Sequence, residues 1–246
     1  MTIAPVPSTP ETVTIGVLAL QGAFIEHIHY LQRLRPVGHA IRAIPVRSEE
    51  ELKQCDALVL PGGESTVIHS VALRSGLLSS LVEFVQDPSK PVYGTCAGMI
   101  LMAAEDGIGG GKIIKGRPPA VGWGGIDGLK VWRNLYGNQL ESFEAHMVIP
   151  SLPNPSKPFN AIFIRAPAIH SLPQHPKTPI EVLATLPQEC VPTPPPADTP
   201  MGPANPDDLG KIMVRQGRKL VTSFHPELSG DVRIHEYWVD KCVLGR

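Results

Sequence analysis

The chain has 246 residues, 42% of them hydrophobic and 18% charged, with a formal net charge of -1. That is globular composition with enough apolar residues for a sizeable core, and so small a charge excludes long-range steering onto nucleic acid or an anionic membrane surface. The four cysteines, Cys55, Cys96, Cys190 and Cys242, form no Cys-x-x-Cys pair, so free thiols in a reducing compartment, no bound metal and no cofactor are expected.

Residues 1–12 lack a basic n-region and an apolar h-region and read as a short disordered lead-in, not a secretory signal. No apolar run reaches membrane-spanning length, so a cytoplasmic protein is expected. Residues 13–20 form a near-continuous β-branched and apolar run, as suits a strand buried on both faces. Gln21-Gly22 break it, and residues 23–34 read as a helix. A strand at 40–46 comes next. Ser48, with Glu51 three residues on, predicts a capping box and a short helix. A third strand at 56–60 ends at Pro61-Gly62-Gly63. Helical patterning covers 65–72 and 77–86, then a strand at 91–94 and a helix at 97–104.

Further strand signals lie at 126–132, 141–149, 160–165 and 180–185. Residues 211–215 and 219–224 read as a hairpin turning near Gln216-Gly217, and 231–243 have helical spacing. Strands alternating with helices argue for a parallel sheet covered on both faces. The expected fold is α/β, a three-layer sandwich with a mixed, mostly parallel central sheet, in one domain from residue 13 to 246. Two stretches depart from the pattern. Eight of the 24 residues from 187 to 210 are proline, which predicts an exposed, extended or disordered insertion. The glycine-rich run at 107–111 lacks the Lys-Ser/Thr of a P-loop and reads as a flexible loop.

The strongest chemical signal is Val92-Tyr-Gly94-Thr-Cys96-Ala-Gly98. Strand, Gly-x-Cys-x-Gly, helix is the thiol form of the nucleophile elbow. A sharp turn there lifts Cys96 out of the sheet at its carboxyl edge, where α/β folds bind ligands. Small residues two before and two after are needed because the turn brings those positions together. The helix N-terminus favours thiolate over thiol, and the Ala97 N–H is a candidate oxyanion donor. The plainer alternative is a buried cysteine among packing glycines.

A thiol nucleophile needs a base, and the base an orienting group. Thr222-Ser-Phe-His225-Pro-Glu227 follows an apolar strand and offers both. His225 and Glu227 are two apart, so in extended chain they project to the same side. His225 would take the thiol proton, and Glu227 would set its tautomer. On its own, His-Pro-Glu fits a capped surface turn; paired with the elbow, it completes a catalytic set. Gly62 and Gly63, closing a parallel strand before a helix, allow close backbone approach and an anion-binding nest. That loop is a candidate source of the second oxyanion donor.

Taken together, these pieces resemble a class I, triad-type glutamine amidotransferase. More narrowly, the chain resembles the family of glutaminase subunits of pyridoxal 5'-phosphate synthases. The resemblance rests on Ile15-Gly-Val-Leu-Ala-Leu-Gln-Gly22, Glu26-His27, Leu60-Pro-Gly-Gly-Glu-Ser-Thr66, Gly94-Thr-Cys-Ala-Gly98, Ser142-Phe-Glu144, Phe163-Ile-Arg-Ala-Pro167 and Ser223-Phe-His-Pro-Glu-Leu228. It implies hydrolysis of L-glutamine to L-glutamate and ammonia by Cys96, His225 and Glu227. It implies a substrate pocket from Gly62, Gly63, Glu64, Ser65 and Ala97, closed by Arg133, Ile164 and Arg165. A guanidinium at 133 suits the substrate's α-carboxylate. The implied partner is the synthase subunit, in a hetero-oligomer docked around residues 21–29.

One departure stands out. Members carry Asn-x-x-Gly-Arg-Gln after the pocket arginine, whereas here Asn138 replaces that second arginine. Three other readings remain open: a glutaminase subunit of another pathway, a DJ-1-like or peptidase-like hydrolase, which shares a cysteine elbow but would not need the His-Pro-Glu run, and a non-catalytic glutamine-sensing protein.

Overall fold

The computed structural model describes residues 10–110, 121–136 and 142–246. The first half alternates strand and helix: β1 (Glu11–Leu18), α1 (Phe24–Arg33), β2 (His39–Val46), α2 (Glu49–Lys53), β3 (Ala57–Leu60), α3 (Ser65–Arg74), α4 (Leu78–Gln86), β4 (Val92–Thr95) and α5 (Ala97–Leu101). The second half is mostly strand: β5 (Ile108–Gly109), β6 (Lys130–Trp132), β7 (Ser142–Met147), β8 (Phe159–Ile164), β9 (Ala168–Ser171), β10 (Ile180–Thr185), β11 (Lys211–Gln216) and β12 (Lys219–Thr222). It closes with α6 (Arg233–Trp238) and a π-helical turn, Val239–Val243.

Seven strands make the central sheet in the order β10-β11-β12-β4-β3-β1-β2. From β2 to β12 every pairing is parallel, and only β11 runs against its neighbours. The mixed, mostly parallel sheet is the one expected. Alternate residues feed two cores. Ile15, Val17, Ala57, Val59 and Leu220 face one side with α1, α6 and the β7–β8 hairpin. Leu18, Leu58, Leu60, Val92 and Val221 face the other side with α2, α3, α4 and α5. These positions are almost completely buried, and burying each such side chain contributes about 1.5–3 kcal/mol. Both faces of a parallel strand being covered explains its unbroken apolar run.

Local signals account for most boundaries. Ser48 accepts from the Glu51 N–H while the Glu51 carboxylate accepts from the Ser48 N–H, the capping box that starts α2. Gly217, with φ of 55°, turns the β11–β12 hairpin.

Several expectations need correction. β1 starts at Glu11, not 13, because Glu11 donates to the Gly38 carbonyl and pairs with His39. Only Lys130–Trp132 of the 126–132 strand exists, since Ile126 accepts from Leu129 and Gly128 takes φ of 60° in a turn. Ile108–Gly109 pair with β6 instead of forming a free loop, while Gly111 lies outside the described residues. The proline-rich stretch is also less exposed than expected. Leu209 and Asp208 are buried, and Cys190, Val191 and Ala204 pack on the core. Proline cannot donate to a ladder, but the Asn205 N–H still reaches the His170 carbonyl at 2.9 Å.

Candidate active site

β4 ends at Thr95, and Cys96 makes the turn into α5 with φ of 47° and ψ of -100°. A non-glycine residue there carries backbone strain of about 1–3 kcal/mol. The surroundings hold it in place: the Cys96 N–H donates to the Thr222 carbonyl at 2.8 Å, and its carbonyl accepts from Ile100. The flanking glycines are required by contact. A Cβ on Gly94 would stand 2.6 Å from the Gly98 carbonyl carbon, and one on Gly98 would stand 2.0 Å from the Leu60 carbonyl oxygen. The elbow therefore packs on the end of β3, its neighbour in the sheet.

β12 is the neighbour on the other side of β4. Its continuation delivers His225, whose N–H donates to the Ile162 carbonyl of β8 at 2.8 Å. His225 Nδ1 meets Glu227 Oε1 at 2.7 Å. Burial pushes the His225 imidazole down, but hydrogen bonding and charge from Cys96 and Glu227 outweigh burial and raise it to about 10. Burial pushes the Glu227 carboxyl up, yet the His27 and His225 rings hold it below the ordinary glutamate value. An imidazolium between a thiol and a buried carboxylate favours the thiolate. Cys96 thus meets the distant His225–Glu227 pair at the carboxyl edge of the sheet.

The Gly62–Gly63 turn lies against the same ring. A Cβ on Gly62 would come within 2.4 Å of His225 Cε1. The Gly62 carbonyl accepts from the Ala23 N–H at 3.0 Å, and the Glu64 N–H donates to Gln21 Oε1 at 2.8 Å. Ser65 opens α3, buried, with its hydroxyl unpaired. Arg133 is half-buried, and its guanidinium donates to the Gly110 carbonyl. Burial lowers the Arg133 guanidinium, and the Glu64 charge opposes that shift. Ile164 is partly exposed at the end of β8. Arg165 follows in the left-handed region, at φ of 47°. Asn138 lies outside the described residues. Among the described residues, no group of three or more His, Cys, Asp or Glu is arranged to hold a metal ion, and no single helix is long and apolar enough to cross a membrane.

The profile of the SNO glutamine amidotransferase family matches residues 17–193. The chain belongs to that family. A relative from Pelotomaculum thermopropionicum, named pyridoxal 5'-phosphate synthase subunit PdxT, is 42% identical over 229 residues, 93% of this chain and 95% of its own length. A protein of the same name from Herpetosiphon aurantiacus is 38% identical over 92% of this chain and 99% of its own. A solved structure described as a glutamine amidotransferase superposes with a TM-score of 0.68 at 36% identity, covering 94% of this chain and 99% of that one.

Two residues of this amidotransferase gained no role from the sequence. Gln21 lies in the Leu-Gln-Gly run, but its bond to Glu64 spans 43 positions, beyond any local pattern. His27 shares the inward face of α1 with Tyr30 and Leu31. A histidine in an apolar helical stripe was the available signal.

Proposed function

We propose that this amidotransferase is the glutaminase subunit of a pyridoxal 5'-phosphate synthase, cleaving L-glutamine with Cys96 as nucleophile and His225 and Glu227 as its activating pair. The observation that carries this reading is the buried His225–Glu227 pair acting on a cysteine held in a strained elbow. The Cys96 thiolate attacks the side-chain amide carbon. Backbone N–H groups at Gly63 and Ala97 steady the tetrahedral oxyanion, each contributing about 3 kcal/mol. Imidazolium His225 gives its proton to the departing ammonia. It then takes a proton from water, which attacks the glutamyl thioester, releases L-glutamate and restores the thiol pair. Arg133 and Glu64 grip the two charged groups at the amino-acid end of glutamine. Ser65, Ile164 and Arg165 complete the pocket. This chemistry needs no cofactor.

Ammonia released into water is lost as ammonium, so a subunit without an acceptor site should dock on one. The relatives' name, a pyridoxal 5'-phosphate synthase subunit, supports another subunit of such a synthase as the partner. The proposed complex is a cytoplasmic hetero-oligomer. The exposed face of α1, with Ile25, Glu26 and His29, is the proposed docking surface.

The test is glutamate release from glutamine by the chain mixed with a pyridoxal 5'-phosphate synthase subunit. Cys96→Ala is expected to lower kcat by at least about 10⁴-fold. Release unaffected by that substitution would remove the assignment.

A further inference from the structure

We propose that His27 is a positioning residue for this catalytic pair: from α1 it holds the second oxygen of Glu227, so that the first stays on His225. The proposal rests on the reading of Cys96, His225 and Glu227 as catalytic.

The Glu227 and His27 side chains are both 0% exposed. Glu227 spends Oε1 on His225 Nδ1 at 2.7 Å. Among the described residues its Oε2 has no hydrogen-bond partner, but His27 Nε2 stands 3.4 Å away. A charged oxygen at that depth with nothing positive facing it is strongly unfavourable. A carboxylate so placed would protonate or rotate, and either change removes the acceptor that orients His225.

The tautomers follow from the contacts. His27 Nε2 lies between Glu227 Oε2 and Thr95 Oγ1, the latter at 3.3 Å. An ionised carboxylate only accepts, so Nε2 carries the proton. His27 Nδ1 then accepts from His235 Nε2 at 2.9 Å. That leaves His235 Nδ1 as a bare acceptor, and among the described residues it is the His235 ring atom without a partner. The reverse tautomers would turn a lone pair toward the carboxylate and leave a buried N–H unpaired, which costs more than an unused lone pair. Burial lowers the His27 and His235 imidazoles, although the Glu227 charge works to raise His27. Burial thus favours the neutral ring at both positions, and His27 presents Nε2 between Thr95 Oγ1 and Glu227 Oε2.

His225 holds the other oxygen of the carboxylate. His225 and Glu26 act on His27 by charge, and Tyr93 meets the His27 ring edge-on, with centroids 6.3 Å apart. Tyr30 packs on His235 with ring centroids 4.9 Å apart. Helix α1 is anchored at its start, where Ala23 bonds to Gly62, so the His27 donor is carried on a fixed element.

The experiment compares His27→Ala and His27→Gln in the complex with the synthase subunit. Glutamine Nε2 can donate where His27 Nε2 does; alanine cannot. His27→Ala is expected to lower kcat about tenfold or more with KM for glutamine within about twofold, since the group acts through Glu227 and not on substrate. The acid limb of its kcat/KM profile should move to higher pH, because Glu227 without its donor keeps its charge less well. His27→Gln should recover most of kcat and the original limb. The pH dependence of Cys96 alkylation, followed by mass spectrometry on the chain alone, should shift the same way in His27→Ala. If His27→Ala does not fold, His27→Asn, too short to reach Glu227, serves as the loss variant. A loss variant with parental kcat and pH profile but lower Tm would overturn the proposal, leaving a packing residue. Equal losses in the Ala and Gln variants with an unmoved pH profile would overturn it too. Cys96→Ala is the control: activity surviving there sinks the catalytic reading itself, whereas activity lost there and kept in His27→Ala sinks only the role of His27.

Discussion

Cys96, His225 and Glu227 follow the ends of two adjacent parallel strands, whereas Arg133, Ile164 and Arg165 lie at the ends of strands outside the seven-stranded sheet. The catalytic side is almost wholly buried, with Cys96 at 6%, His225 at 8% and Glu227 at 3% exposure. The substrate side is half-exposed, and its arginine is held by a glycine carbonyl beside a stretch outside the described residues. On the proposed reading of the site, the two sides do different work. Proton transfer and thiolate formation need fixed geometry and a dry setting. Gripping a small amino acid needs charge and room to enter.

Breaking the catalytic side should therefore act on kcat. Glu227→Gln keeps shape and burial but removes the anion facing His225 Nδ1. The expected fall in kcat is about 10²–10⁴-fold, with KM little changed, by analogy with orienting carboxylates in other triads. The same variant changes titration. His225 is raised to about 10 by hydrogen bonding and charge from Cys96 and Glu227. A folded value above the unfolded one contributes stability that is complete below the unfolded value, near 6.5, and is lost as pH rises through about 10. In Glu227→Gln that alkaline loss should begin at lower pH, and histidine NMR should show His225 titrating lower. An unmoved titration would mean Glu227 does not set the state of the ring. Gly62→Ala is a gentler break on the same side. Its Cβ would stand 2.4 Å from His225 Cε1, so the ring must shift, and kcat should fall roughly tenfold or more.

Arg133→Ala probes the other side. If Arg133 grips the glutamine α-carboxylate, the loss falls on KM, by roughly ten- to hundredfold, with kcat changing much less. Equal effects on kcat and KM would erase the distinction between the two sides.

The sequence revealed the two sides unequally for the same physical reason. An elbow is local: Gly94, Cys96 and Gly98 are spaced by the turn itself, and Gly98 must clear the Leu60 carbonyl. His225 and Glu227 lie two apart on one strand exit. The parallel half of the sheet was legible because burial on both faces writes long apolar runs into β1, β3 and β4. The substrate side was not legible from patterning. Arg133 reads as an ordinary strand residue, and only the likeness to known glutaminase subunits singled it out. Long-range contacts were hidden as well. The Gln21–Glu64 bond and the His27–Glu227 approach depend on how α1 packs. Turns inside apolar stretches misled the reading: Ile126 and Leu129 are both buried, yet Gly128 bends the chain between them.

The proline-rich stretch supplies the weakest expected effect on activity and a clean control for both sides. Its composition suggested an unstructured insertion, but Asp208 pins its end. The Asp208 carboxylate accepts from the Leu172 N–H at 2.9 Å, from Asn205 Nδ2 at 2.9 Å and from the Lys211 ammonium. Nearby, the Tyr136 hydroxyl donates to the Leu209 carbonyl at 2.7 Å. Asp208→Ala leaves a part-buried backbone N–H and a partly buried ammonium without their acceptor. That should destabilise the fold by about 1–3 kcal/mol, a drop of several degrees in Tm. No catalytic side chain touches Asp208, so kcat should stay within about twofold of the parent below the melting transition. A large fall in kcat with Tm intact would mean that this stretch belongs to the substrate side, with Trp132 and Arg133 moving when it is released.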